Sequence, residues 1–309
     1  MTQDSPNAAA LPSSPSAETR LPSGVSSLVE VDVAGLSDPG RVRANNEDHF
    51  FVGRFHRGMK TLATNVPQEA VPRSYEETVY AMLVADGVGG SAAGEIASRT
   101  AVQALVDLVL ETPDWIMLID DRLAEEALHR MERRFQKVRD TLIARANADP
   151  SLKGMGTTMT AAATIGPELL TTHVGDSRAY VLRGDGRLER LTRDQTMAQS
   201  LADSGAIRQD EVEKSPYRHV LTSALATRGT FVQVELKRTR LQDGDRVLLC
   251  SDGLTDMVSD QEIVRVLSKT GSSAEGCRSL VDYALEAGGK DNVTVVLARY
   301  RIPREASGA

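Results

Sequence analysis

Residues 78–87 read TVYAMLVADG, and residues 84–98 carry the same run onward as VADGVGGSAAGEIAS. A short apolar stretch rich in Val, Tyr and Leu that ends on Asp-Gly is the pattern of a buried strand stopped by a sharp turn. Small residues then lead into a segment where Val102, Leu105, Val106 and Val109 recur at i, i+3, i+4 and i+7, one apolar face of a helix. Strand, Asp86-Gly87 and helix thus follow one another, with a carboxylate at the strand's mouth.

Further along, TAAATIG (160–166), RAYVLR (178–183), RVLLCSDG (246–253) and VTVVLARY (293–300) have the same strand character, bounded by glycine and aspartate. A second helix is marked by Leu128, Met131, Phe135, Val138 and Leu142, repeating at three and four. Two later helices open on Ser259-x-x-Glu262 and Ser272-x-x-Glu275, where serine and glutamate can cap each other's backbone donors, and the second closes at Gly288-Gly289. The order is strands, a helical pair, more strands, a polar segment (195–230), a strand, two helices and a final strand. It predicts an α+β fold, a four-layer α-β-β-α sandwich of two antiparallel sheets flanked by helices.

Four aspartates fall at strand ends. Asp86 and Asp252 follow apolar runs, while Asp48 and Asp291 closely precede HFFVGRF and VTVVLARY. In antiparallel neighbours such ends share one rim. Carboxylates gathered there repel and raise each other's pKa unless a cation neutralises them. All the candidate ligands are oxygen, which favours hard Mg2+ or Mn2+ over zinc. Gly87 and Gly253 follow two of these aspartates, so the chain can turn sharply and a carbonyl can reach an ion, and Asp86 is placed to bridge two metals. One Asp-Gly alone is usually a plain turn; the set carries the reading. Arg43, five residues before Asp48, can deliver a planar guanidinium to a phosphate.

Composition narrows the alternatives. A net charge of -7 disfavours a nucleic-acid binder or an anionic-membrane partner. Two cysteines, Cys250 and Cys277, supply no disulfide framework or thiolate metal site and suit a reducing cytoplasm. Neither has an arginine six residues on, as a cysteine-dependent phosphatase would need: Asp256 and Tyr283 stand there. Gly87-x-Gly89-x-x-Ala92 hints at a dinucleotide loop, but the region of Asp107 continues a helix where a second strand should end in an acid. His49, His56, His129, His173 and His219 share no ligand spacing and read as surface or core histidines. No apolar stretch is long enough to cross a bilayer, and no secretory leader is recognisable, so a cytoplasmic protein is expected. No heptad run argues for a coiled coil, so a monomer is expected.

Six segments in order resemble the metal-dependent protein phosphatases, the type 2C serine/threonine phosphatases of bacterial type. They are SDPGRVRANNEDHF (37–50), VADGVGGSAAGEIAS (84–98), GMGTTMTAA (154–162), HVGDSRAYVLR (173–183), LLCSDGLTD (248–256) and KDNVTVVLARY (290–300). The resemblance implies a β-sandwich with outer helices and a two-metal centre at one end. It implies that Asp86 bridges both metals, that Asp252 and Asp291 complete one site, and that the Gly87 carbonyl serves the other. Glu47 and Asp48 would hold metal-bound waters or bind directly. Arg43 would grip the substrate phosphate, Asp48, Asp86 and Asp252 would join it in catalysis, and Asp176 with Asp256 would form a weaker third metal site. The reaction implied is hydrolysis of phosphoserine and phosphothreonine in proteins by water activated between two Mn2+ or Mg2+ ions. Phosphoproteins, including a Ser/Thr kinase or its substrates, are the partners implied.

Three departures stand out. Val88 lies where some members carry histidine as the leaving-group acid, which leaves a metal-bound water for that task. Gln195 replaces a common histidine, and Ala226 a common glycine. Residues 1–27, rich in Ser, Pro and Ala, read as a disordered tail, 28–302 as one catalytic domain with a flap at about 195–230, and 303–309 as a short closing tail. Residues 53–78 exceed the hairpin of compact relatives and suggest a partner surface or a tolerated insertion.

Overall fold

A computed structural model describes residues 29–303 except 68–70, 72, 90–91, 112–120 and 229–231; the tail expected at 1–27 and all of 303–309 but Pro303 lie outside the described residues. Strands β1 (Glu30–Asp38), β2 (Asp48–Lys60) and β3 (Ser74–Val88) lead into α1 (Ala92–Glu111) and α2 (Asp121–Ala148). After a 3-10 turn (Pro150–Leu152) come β4 (Gly156–Thr157), β5 (Met159–Ile165), β6 (Glu168–Val174), β7 (Arg178–Leu182) and β8 (Leu188–Arg190). The expected flap holds α3 (Met197–Asp203), a 3-10 turn (Gln209–Lys214) and β9 (Leu225–Ala226). Then follow β10 (Glu235–Arg240), β11 (Arg246–Cys250), α4 (Asp252–Thr255), α5 (Asp260–Leu267), α6 (Ser273–Glu286) and β12 (Val293–Arg301).

Two sheets form, in the orders β1-β12-β11-β7-β8 and β10-β6-β5-β3-β4-β9, with β2 on the other edge of β3. Every pairing in them is antiparallel, as the apolar runs imply. Three apolar clusters separate four layers. Between the sheets lie Met82, Val84 and Leu169 from one and Val181, Val247, Leu249, Val296 and Tyr300 from the other. Leu248, Cys250, Val293, Val295 and Leu297 face the opposite way, against Ile263, Leu267, Leu280 and Val281 of α5 and α6. Leu83, Met159 and Ala161 meet Ala97, Ala101, Leu105, Phe135, Val138 and Leu142 of α1 and α2. Because β11 and β12 are covered on both faces, both alternating sets of side chains must be apolar, and LLC and VVLA read as unbroken runs for that reason.

Local chemistry sets the element ends. Ser259 Oγ accepts from the Glu262 amide while Glu262 Oε2 accepts from the Ser259 amide, the reciprocal cap the sequence predicts. At α6 only half of that exchange forms: Ser272 caps Glu275, but Glu275 Oε2 turns to the Gly271 amide at 2.8 Å. α6 stops where Gly289 adopts φ +51° and returns its amide to Ala284. The long 53–78 stretch is mostly strand, since β2 and β3 stay in register from Asp48 opposite Asp86 to Lys60 opposite Ser74.

Candidate metal centre

Antiparallel register brings the first two carboxylates together: Asp48 opens β2 directly opposite Asp86 near the end of β3. The ladder around Asp86 is completed by a side chain. The Asp86 amide donates to Thr158 Oγ1 at 3.1 Å and its carbonyl accepts from the Thr158 amide at 2.9 Å, across the break between β4 and β5. Asp48 is buried, accepts from Ser251 Oγ at 2.7 Å through Oδ2, and has no partner at Oδ1. Burial pushes its pKa up to about 7, against the donors Ser251 and Thr294, with Asp252 and Asp291 adding to the rise. Asp86 is held well above the usual carboxylate range, first by burial and then by the charges of Asp48, Asp252, Asp176 and Asp291.

The next two acids come from the other sheet. β11 ends at Cys250, and Asp252 begins α4 at once, while Asp291 stands two residues before β12. A Cβ at Gly253 would run into the Asn292 carbonyl oxygen, and one at Gly87 into that of Gly94, so both close approaches require glycine. Asn292 fastens the loop between β1 and β2: its Nδ2 donates to the carbonyls of Pro39 (2.9 Å) and Asn45 (2.8 Å), and its Oδ1 accepts from the Glu47 amide (2.8 Å). That loop also carries Arg43, whose Nη2 reaches Asp291 Oδ2 at 2.6 Å with the guanidinium 58% accessible. The Gly87 amide in turn donates to the Glu47 carbonyl at 3.2 Å.

One cleft is lined by Arg43, Glu47, Asp86, Gly87, Asp176, Asp252, Asp256 and Asp291, with Asp48 beneath them. Every residue expected at the site is therefore in one place. The pairing of the outer acids differs from expectation. Asp176 groups with Asp252 and His219, whose ligand atoms all lie within 4.8 Å of one another. Asp256 instead accepts from His219 Nε2 at 3.1 Å and faces Arg218 Nη2 at 3.7 Å.

His219, read from the sequence as a surface or core histidine, thus belongs to the cleft, as does Arg218. Neither has a spacing signal, because both arrive on an irregular stretch whose path is set by distant contacts. Among these, Met197 and Ala198 of α3 donate to the carbonyls of Val220 and Tyr217. Gln195 anchors the base of the same segment, its Oε1 accepting from the Gly175 amide and its Nε2 donating to the Gln233 carbonyl, both at 2.9 Å. Ser177 and Arg178 serve the frame. Ser177 Oγ is 2.8 Å from Thr158 Oγ1, and Arg178 grips Asp194 through Nε and Nη2.

The donors fit small divalent cations. They are carboxylate oxygens with one backbone carbonyl at Gly87, the hard set that suits Mg2+ and Mn2+. A buried carboxylate oxygen without a donor, at Asp48, and an Asp86 raised by four neighbouring negative charges both call for positive charge in the cleft.

A double sandwich with an all-oxygen carboxylate centre at the sheet ends defines a class of metal-dependent hydrolases. The protein phosphatase 2C family model matches residues 66–287, and the chain belongs to that family. It is 38% identical over 265 residues to the serine/threonine protein phosphatase PstP of Mycobacterium tuberculosis, covering 86% of this chain and 44% of that protein. The chain therefore spans less than half the length of that relative. The serine/threonine phosphatase stp of Listeria welshimeri is 32% identical, covering 88% of this chain and 97% of that one. A crystal structure of the PstP catalytic domain in complex with two manganese ions superposes with a TM-score of 0.68 at 35% identity, covering 88% of this chain and 99% of that one.

Proposed function

We propose that this chain is a protein serine/threonine phosphatase that hydrolyses phosphoserine and phosphothreonine esters with two Mn2+ or Mg2+ ions. The observation that carries the reading is the convergence of Asp86, Asp252, Asp291 and Asp48, from both sheets, on one cleft floor where they raise the pKa of Asp86. The PstP structure with two manganese ions supports the same count.

In this reading Asp86 bridges the two ions, Asp252 and Asp291 complete one site, and the Gly87 carbonyl contributes to the other. Bound there, the pair supplies Lewis-acid activation of water and charge to offset the phosphoryl oxygens. Glu47 and the buried Asp48 orient water from the loop side. Arg43, more than half accessible at the cleft edge, binds the substrate phosphate and aligns it over the acids. Val88, at the mouth of β3, offers no proton, so this chain places no side-chain acid at that point. Phosphoproteins, a Ser/Thr kinase or its targets among them, are the substrates such a site serves, and the flap over residues 195–230 is the surface placed to select among them. Among the described residues no helix is long and apolar enough to cross a membrane, and we assign the chain to the cytoplasm.

Hydrolysis of para-nitrophenyl phosphate and of a phosphothreonine peptide with added Mn2+ tests the assignment. Activity should vanish with chelator and in Asp252→Ala; activity indifferent to both would defeat it.

A further inference from the structure

A donor at the flap side of the cleft is left unused by the two sites just proposed. His219 lies between the 3-10 turn Gln209–Lys214 and β9, with its side chain 43% accessible, Nδ1 3.4 Å from Asp252 Oδ2 and Nε2 3.1 Å from Asp256 Oδ2. One of its nitrogens and one carboxylate oxygen each of Asp176 and Asp252 form a triad within 4.8 Å. Donors on an octahedral cation at roughly 2.0–2.2 Å stand roughly 2.9 Å apart when adjacent and 4.3 Å when opposed. The triad needs only a small contraction to meet that geometry.

Asp176 sharpens the requirement. It is only 8% exposed, at the start of β7, where Asp252 and Asp194 press negative charge on it and His219 is the largest charge that relieves it. A half-exposed His–Asp contact contributes about 0–1 kcal/mol in water, too little to fix a loop. A cation shared by two core carboxylates and a flap imidazole would fix it.

We infer that His219 is a nitrogen ligand to a further divalent cation held with Asp176 and Asp252, and that this ion ties the flap to the core. The inference rests on the two-metal reading because Asp252 is shared with it. What it adds to a weaker third site is the nitrogen and its consequence. An imidazole in the donor set favours Mn2+ and later transition ions over Mg2+, so the flap is held in Mn2+ and left looser in Mg2+.

The full chain, stripped of metal, is titrated with Mn2+ by calorimetry. Pulsed electron paramagnetic resonance of the Mn2+-loaded protein then looks for directly coordinated 14N. Hydrogen exchange across residues 215–222 is compared in Mn2+ and in Mg2+. Wild type should show a third, weaker binding event, an imidazole 14N coupling, and slower exchange of 215–222 in Mn2+ than in Mg2+. His219→Ala should erase the coupling and weaken the third event by roughly 10–100-fold or more, since even partners one shell further out are worth that much. Tight binding of two ions with no nitrogen coupling, or an unchanged third event in His219→Ala, overturns this inference alone. No Mn2+ binding by wild type overturns the two-metal reading along with it.

Discussion

Asp48 and Asp86 face each other across the β2–β3 ladder with no basic side chain between them, and the only side-chain donor printed on either carboxylate is the hydroxyl of Ser251. Like charges directly opposite in a sheet are destabilising, so without metal the pair holds protons that an unfolded chain would release.

The sign of the resulting pH dependence follows. Between the ordinary carboxylate range and about 7 for Asp48, the folded state binds more protons than the unfolded state, so stability falls as pH rises through that interval. Glu77, raised to about 7 by burial, acts in the same direction. His173, lowered to about 4 by burial, acts oppositely up to its model value of 6.5, so the clean window lies above pH 6.5. In chelator the Tm should drop between pH 6.5 and 8 by about 2–4 °C for each kcal/mol lost. Asp48→Asn should flatten the drop, and saturating Mn2+ should abolish it. A Tm in chelator that climbs over this window would show that Asp48 is ionised in the folded state.

Asn292 is a second test of how the site is assembled. Its amide is 5% exposed and satisfies two carbonyls and one amide of the loop carrying Arg43 and Glu47. Asp at this position cannot donate to the Pro39 and Asn45 carbonyls and adds negative charge beside Asp291. Asn292→Asp should cost about 1–3 kcal/mol for each buried group left unpaired. It should also lower kcat/KM more than an equally destabilising core change such as Leu280→Ala. Equal losses in the two variants would mean that Asn292 acts on stability alone.

Asp86 and Asp252 are legible in the sequence because each ends a strand whose apolar run is unbroken, and Asp291 because it opens one. The layers are legible for the same reason, since only strands covered on both faces carry runs such as VTVVL. Asn292 is not legible, because its function is three hydrogen bonds to a loop some 250 residues away in the chain. His219 is hidden for a related reason: it reaches Asp252 only because α3 and Gln195 fold the intervening segment back, and no local periodicity records that path.

Arg178 and Asp194 form an ion pair at 2.7 Å with side chains only 15% and 9% accessible, directly behind Asp176. Removing one member strands the other charge, a loss of about 3–5 kcal/mol. Asp194→Ala should therefore unfold at much lower denaturant yet bind the first two Mn2+ ions with unchanged affinity when folded. Loss of those two ions at full fold, monitored by far-ultraviolet circular dichroism, would move the pair from the frame into the site.

Arg43 makes the sharpest separation between binding substrate and holding the site together, because its guanidinium contacts Asp291 at 2.6 Å while most of it stays open to the cleft. Removing a positive charge beside a cation site should tighten that site, so Arg43→Ala should bind Mn2+ more strongly than wild type. It should at the same time lose the charge-assisted bonds to the phosphate, worth about 1.5–3 kcal/mol, which lowers kcat/KM on a phosphothreonine peptide by roughly 10–100-fold. Arg43→Lys keeps the charge and loses the planar fork, so its Mn2+ affinity should match wild type while kcat/KM falls part of the way. If Arg43→Ala binds Mn2+ more weakly and leaves KM unchanged, the residue's task is to position Asp291, and the phosphate is held by another group.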